Sequence, residues 1–196
     1  MTSKSTFPAL MLALLLTACG GDEGSDAPEG ASFDPASLNA CELFTVADAL
    51  QFNGRQPVAP RSSTFDDAAR SGNALTCSFN TAVATPDQPK VLGLEIRPAR
   101  DARAAARNME SSRSMLKRLS GGEIQEVPNL GEKAMFAGGT LHQLHVLKGN
   151  LVLVITAQTD NPARSLYVAK LIAERVVQRL DGAPGAQGVP VTAQPG

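Results

Sequence analysis

The residues of this 196-residue chain whose types and spacing suit chemistry are few. The only two histidines are His142 and His145. Three positions apart on an extended segment, they point to opposite faces and share a metal only across a bulge. One is therefore expected at the surface and one partly packed, with no metal between them. A basic series is the stronger candidate. Arg100, Arg103 and Arg107 follow a helical spacing of three and four, and Arg113, Lys117 and Arg118 continue it. Guanidinium groups grip phosphate and carboxylate bidentately, so Arg100, Arg103 and Arg107 form a candidate anion-binding stripe. The plainer alternative is a solvated helix face, partly neutralised by Asp101 and Glu110 through i,i+3 and i,i+4 pairing. No G-x-S-x-G elbow, phosphate-binding G-x-x-x-x-G-K-[ST] loop or H-E-x-x-H motif occurs. No catalytic residue, cofactor or enzymatic activity is expected.

The first residues set an expected address. Lys4 supplies a short positive start and Phe7 to Leu16 an apolar run of about ten residues, too short to span a bilayer. Leu16-Thr17-Ala18-Cys19 resembles the lipobox of bacterial lipoproteins. The resemblance implies a signal peptide over 1–18, cleavage before Cys19, acylation (palmitate included) of that cysteine, and membrane attachment in the cell envelope through its acyl chains. An ordinary secretory signal with an incidental cysteine is the alternative. Gly20, where an inner-membrane retention signal often places Asp, favours the outer membrane in a two-membrane cell. Export leaves Cys41 and Cys77 in an oxidising space, where a disulfide is expected. The alternative is a reactive or metal-binding pair, which lacks both C-x-x-C spacing and a neighbouring histidine.

Charge is unevenly distributed. Residues 19–35 carry five acids, no base and almost no apolar side chain, as befits a lipidated, extended tether. Residues 36–182 carry 17 Lys and Arg against 14 Asp and Glu, a modest excess that makes no case for nucleic acid. That span suits one hydrophobic core. Residues 183–196, rich in Pro, Gly and Gln, are read as a disordered tail.

Periodicity supplies the elements that must position these residues. Thr45 caps a short helix over 46–52, with Asp48 at the reciprocal capping position and Asn53-Gly54 as its stop. Strands are expected over 75–83, 91–97, 123–127, 133–137, 140–147 and 151–157. Gly138-Gly139 and Gly149-Asn150 are expected turns. The 151–157 run is apolar on both faces, as in a covered central strand. Between the second and third strands, Ala102, Ala105, Ala106, Met109, Leu116 and Leu119 mark a helix from Arg100 to Leu119, stopped by Gly121-Gly122. Asn161, Pro162 and the stripe Leu166, Ala169, Ile172, Val176 and Leu180 mark a final helix. The expected fold is α+β, a mostly antiparallel sheet with the two long helices packed on one face and a short N-terminal helix. The 20-residue stretch 55–74 is a candidate recognition loop.

Cys41-Glu42-Leu43-Phe44-Thr45 with Asp48, then Leu75-Thr76-Cys77-Ser78-Phe79, then Val127 to Ala134 (VPNLGEKA), occur in this order. The combination resembles a broad group of bacterial envelope lipoproteins of unassigned function, over most of residues 40–180. That group opens with a cysteine and a Leu-Thr cap, places a second cysteine beside an aromatic, and carries a Gly-Leu-Gly-Asp-x-Ala turn. Here Asn129 replaces the first glycine, Glu132 the acid, and Phe79 stands where Trp is frequent. The resemblance implies a disulfide-linked, sensor-like α+β domain rather than a reaction. The expected function is a membrane-anchored, non-catalytic binding or interaction module, with anionic lipid, polysaccharide or an envelope protein as partner. A structural envelope lipoprotein is the alternative.

Overall fold

The computed structural model describes residues 31–53, 61–62, 75–81, 88–119, 121 and 124–182. Cys19, residues 183–196 and, apart from Arg61 and Ser62, the 55–74 stretch lie outside the described residues. The fold is α+β. A 3-10 turn at Pro35–Ser37 leads into α1 (Ala40–Leu43) and α2 (Val46–Asn53). The strands are β1 (Arg61–Ser62), β2 (Leu75–Asn80), β3 (Val91–Pro98), β4 (Ile124–Glu126), β5 (Lys133–Gly138), β6 (His142–Lys148) and β7 (Leu151–Gln158). Two long helices, α3 (Ala102–Leu119) and α4 (Pro162–Gly182), follow β3 and β7. The strands form one antiparallel sheet in the order β1-β2-β3-β7-β6-β5-β4.

The short N-terminal helix starts as its capping residues require. Thr45 N–H donates to Asp48 Oδ2 at 2.8 Å while Asp48 N–H donates back to Thr45 Oγ1 at 3.3 Å, a reciprocal cap. Cys41 and Cys77 form a disulfide, Cα–Cα 5.1 Å, that fastens α1 to β2. Beside it Phe44 and Phe79 meet edge-on, ring centroids 5.3 Å apart.

The placement of the long helices departs from expectation: they lie on opposite faces of the sheet, not on one. Strand alternation makes this plain. Leu151, Leu153, Ile155 and Ala157 of β7 join the main core with Val168, Ala169, Ile172 and Val176 of α4. Val152 and Val154 join a second core with Ala105, Met109 and Leu116 of α3. Placing both helices on one face would have left those two valines in water. The α3 layer covers only the β4–β7 half of its face. Glu95 and Arg97 of β3 lie beyond it, half-buried and paired with each other at 2.6 Å.

Two further expectations give way. Gly138 pairs with His142 across the hairpin, so Gly138 belongs to β5 and residues 139–141 form a three-residue loop rather than a Gly-Gly turn. Phe33, placed in the tether by its acidic surroundings, is buried in the main core. It packs beside the β6–β7 turn, where Gly149 at φ 57 lies so close to Ala31 that a Cβ would fall 1.7 Å from the Ala31 carbonyl oxygen.

Candidate functional site

The basic series is organised by α3. Asp101 starts the helix by accepting the Ala104 N–H at 2.6 Å, and that bond is the largest cause of its lowered pKa. Ala105, Met109, Ser112 and Leu116 turn inward, so the opposite side of the helix meets solvent. At 3.6 residues per turn, Arg103, Arg107, Glu110, Ser114, Lys117 and Arg118 fall within about 100° of the circumference on that outer side. All six are exposed. They make a ridge with four cations and one acid.

The acids expected to neutralise the basic series pair within it, though with its flanking members, and the charge of Arg107 also acts on Asp101. Asp101 pairs with Arg100 at 3.0 Å. Glu110 is held by Lys133 of β5 and by Arg113 at 3.3 Å, and the Lys133 hydrogen bond is the main cause of its lowered pKa. Among the described residues, Arg103, Arg107, Lys117 and Arg118 form no ion pair. Arg113 leaves the ridge: it sits on the flank of α3, bound to Glu110 and to Glu126 of β4. Arg100 precedes the helix and stands exposed at its foot.

The two histidines point to opposite faces, but both are buried, which corrects the expected surface position for one of them. Helices on both faces leave a central strand no wet side. His142 faces α4: its Nδ1 lies 2.8 Å from Ser165 Oγ, which also accepts the Thr159 N–H at 3.0 Å and meets Thr159 Oγ1 at 2.9 Å. A serine beside a histidine suggests a nucleophile, yet Ser165 is wholly buried and its oxygen is shared among three groups. These three side chains tie the start of α4 to the sheet. The sequence signalled Asn161 and Pro162 as the helix start; Ser165 lay hidden within it.

His145 faces α3 between Met135 and Val154 on the neighbouring strands. Neither ring nitrogen has a hydrogen-bond partner. Desolvation, aided by the charge of Arg97, pushes its pKa down to about 4. It is a neutral, purely packed ring at neutral pH.

A third cluster escaped the sequence altogether. Asp48 is buried, and besides capping α2 it accepts hydrogen bonds from Arg175 at 2.9 Å and Arg179 at 2.5 Å, both on α4. Burial would raise its pKa; the bonds from Arg179, Thr45 and Arg175 outweigh that and hold the carboxyl well below the usual range. Arg179 also donates to the Leu43 carbonyl at 2.7 Å, closing the end of α1. The i,i+4 spacing of the two arginines was visible, but their target lies more than 120 residues away.

At the far end of the sheet a cleft of about 540 Å³ opens between β4–β5 and α4, lined by Ile124, Gln125, Phe136, Gly138, Pro162 and Leu166 among others. Among the described lining residues Gln125 is the one whose side chain can hydrogen-bond, so they supply no converging set of polar groups for a small molecule. No cluster of three or more metal-ligating side chains occurs among the described residues, nor any helix long and apolar enough to cross a membrane.

No family model matches the chain, and no curated protein matches it.

Proposed function

We propose that this protein is a bacterial envelope lipoprotein, acylated on Cys19 and anchored to a membrane outside the cytoplasm, whose α+β domain is a non-catalytic module that binds an anionic partner through the α3 ridge. The observation that carries the binding role is the pair Arg103 and Arg107, one turn apart and exposed, neither of which forms an ion pair among the described residues. Export is supported by the Cys41–Cys77 disulfide, a bond suited to an oxidising compartment. Likeness to the envelope lipoproteins is supported by the turn before β5, where Asn129 and Gly131 both take a left-handed φ of 59° at positions where that group carries glycine.

Two measurements test this. The mass of the N-terminal peptide from membrane-extracted protein should show Cys19 as the first residue, carrying acyl chains, and Cys19→Ser should remove the protein from the membrane fraction. Retention on an immobilised polyanion such as dextran sulfate should weaken as salt rises, and weaken further in an Arg103→Glu/Arg107→Glu variant. Equal retention of both proteins at low salt contradicts the binding role.

A further inference from the structure

The point where the N-terminal segment joins the domain is the foot of the basic ridge. Phe33 N–H donates to Asn150 Oδ1 at 2.8 Å, and Asn150 Nδ2 donates to the Phe33 carbonyl at 2.9 Å. The same Asn150 holds the residue before Arg100: Ala99 N–H donates to the Asn150 carbonyl at 2.8 Å, and Asn150 Nδ2 also reaches the Ala99 carbonyl at 3.3 Å. One buried side chain thus binds both the segment that comes from Cys19 and the turn that launches α3. Arg103 and Arg107 rise from that joint on the outer side of the helix, with Arg100 exposed at its foot.

We infer that the α3 ridge docks on the anionic lipid headgroups of the same membrane that holds the Cys19 anchor, laying the domain α3-side down. This rests on the lipoprotein reading and names the partner that the ridge binds. Ala31 lies twelve positions after Cys19, a reach of at most about 43 Å when extended. An acylated chain therefore keeps Ala31, beside the foot of the ridge, within that distance of the headgroups, and encounter of the ridge with them becomes intramolecular. Exposed cations near an anionic leaflet are attracted individually, within a Debye length of about 10 Å at moderate salt. The α4 face lies on the far side of the sheet, where exposed Arg164 and Glu174 are of opposite sign, and it turns away from the bilayer in this arrangement.

The test places an environment-sensitive fluorophore at Ser114→Cys, on the ridge between Arg107 and Lys117, or at Glu174→Cys on α4, in full-length acylated protein. In phosphatidylglycerol vesicles the probe at 114 should shift to the blue and the probe at 174 should not. The shift should be absent in phosphatidylcholine vesicles and should fade as salt rises. Adding Arg103→Glu and Arg107→Glu should abolish it while leaving the protein bound to vesicles. No shift at 114 in a chain whose acylation is verified by mass, or a shift at 174 instead, overturns the docking and leaves the anchor standing. An equal shift in phosphatidylcholine, removed by neutralising Asp22, Glu23, Asp26 and Glu29, gives the ridge to the chain's own acids and also overturns it. An N-terminus found without acyl chains, with no flotation on phosphatidylcholine vesicles, rejects the anchor and this docking with it.

Discussion

Asn150 and Phe33 are joined by two hydrogen bonds that use both ends of the Asn150 amide, across 117 residues of sequence. Asn150→Ala leaves the buried Phe33 N–H and carbonyl unpaired and removes the side-chain bond to the Ala99 carbonyl, while the Ala99 N–H keeps its bond to the backbone carbonyl of residue 150. The expected cost is about 2–4 kcal/mol, since each orphaned group carries its own desolvation penalty. Urea unfolding under nonreducing conditions measures it, and limited proteolysis should show new cleavage near Phe33. Asn150→Asp keeps one acceptor and should fall between the two. A variant as stable as the wild type would show that the N-terminal segment contributes nothing to the fold.

Asp48 draws its partners from α2 and α4 and should be the least replaceable surface-proximal acid. Asp48→Ala removes the cap and strands Arg175 and Arg179 over the helix, with an expected loss of about 2–4 kcal/mol. Arg179→Ala should cost more than Arg175→Ala, because Arg179 also closes α1 at Leu43. Since the folded pKa of Asp48 is lowered, its stabilisation is complete above the ordinary Asp range and declines as pH falls below about 4. Denaturation midpoints for the three variants decide the order.

His145 gives the stability a second, milder pH dependence. Its folded pKa of about 4 lies below the unfolded value of 6.5, so the unfolded chain binds the proton first. Stability is therefore unaffected above pH 6.5 and declines as pH falls towards 4, by about 2 kcal/mol at pH 5 and about 3 kcal/mol at pH 4. His145→Leu, similar in volume and free of the titration, should flatten the profile between pH 6.5 and 4. A slope that survives the substitution assigns the effect to another group.

The Cys41–Cys77 bond closes a loop of 36 residues in separation. Replacing both cysteines with alanine should lower stability by up to about 3.8 kcal/mol in the chain-entropy model. A nonreducing peptide map of protein from the envelope should recover the two cysteine peptides joined. Two free thiols in that sample would count against both the bridge and the exported address.

The two sides of α3 should respond oppositely. Met109 is fully buried against the sheet, so Met109→Ala should cost about 2–5 kcal/mol. Replacing Arg103 and Arg107 with alanine should leave the unfolding midpoint where it was, because exposed cations without partners hold nothing together. Comparable destabilisation by both changes would mean that the ridge is packed rather than free.

What the sequence determined by itself was local. Cap residues, glycine stops and apolar periods of two and 3.6 placed both long helices, the strands β2 to β7 and the short capped helix within a few residues, because each depends on neighbours along the chain, whereas α1 and the two-residue β1 inside the expected 55–74 loop carry too short a pattern to be read. The strand Leu151–Gln158 even signalled that both its faces are covered. Tertiary structure alone decided which helix covers which face. That choice turns on the handedness and length of the connections and on the parity of residues such as Val152 and Val154, which no single segment reveals. It also decided the fate of the charges. Asp101 and Glu110 are spaced to neutralise the basic series and pair with Arg100 and Arg113 within it, but Lys133, brought up by β5, also binds Glu110, and Asp48 collects arginines from a helix far along the chain. These long-range pairs form only between side chains that folding brings together, and the sequence carries no record of them. The ridge of Arg103 and Arg107 was legible as a pattern; that it remains without a partner is a property of the fold.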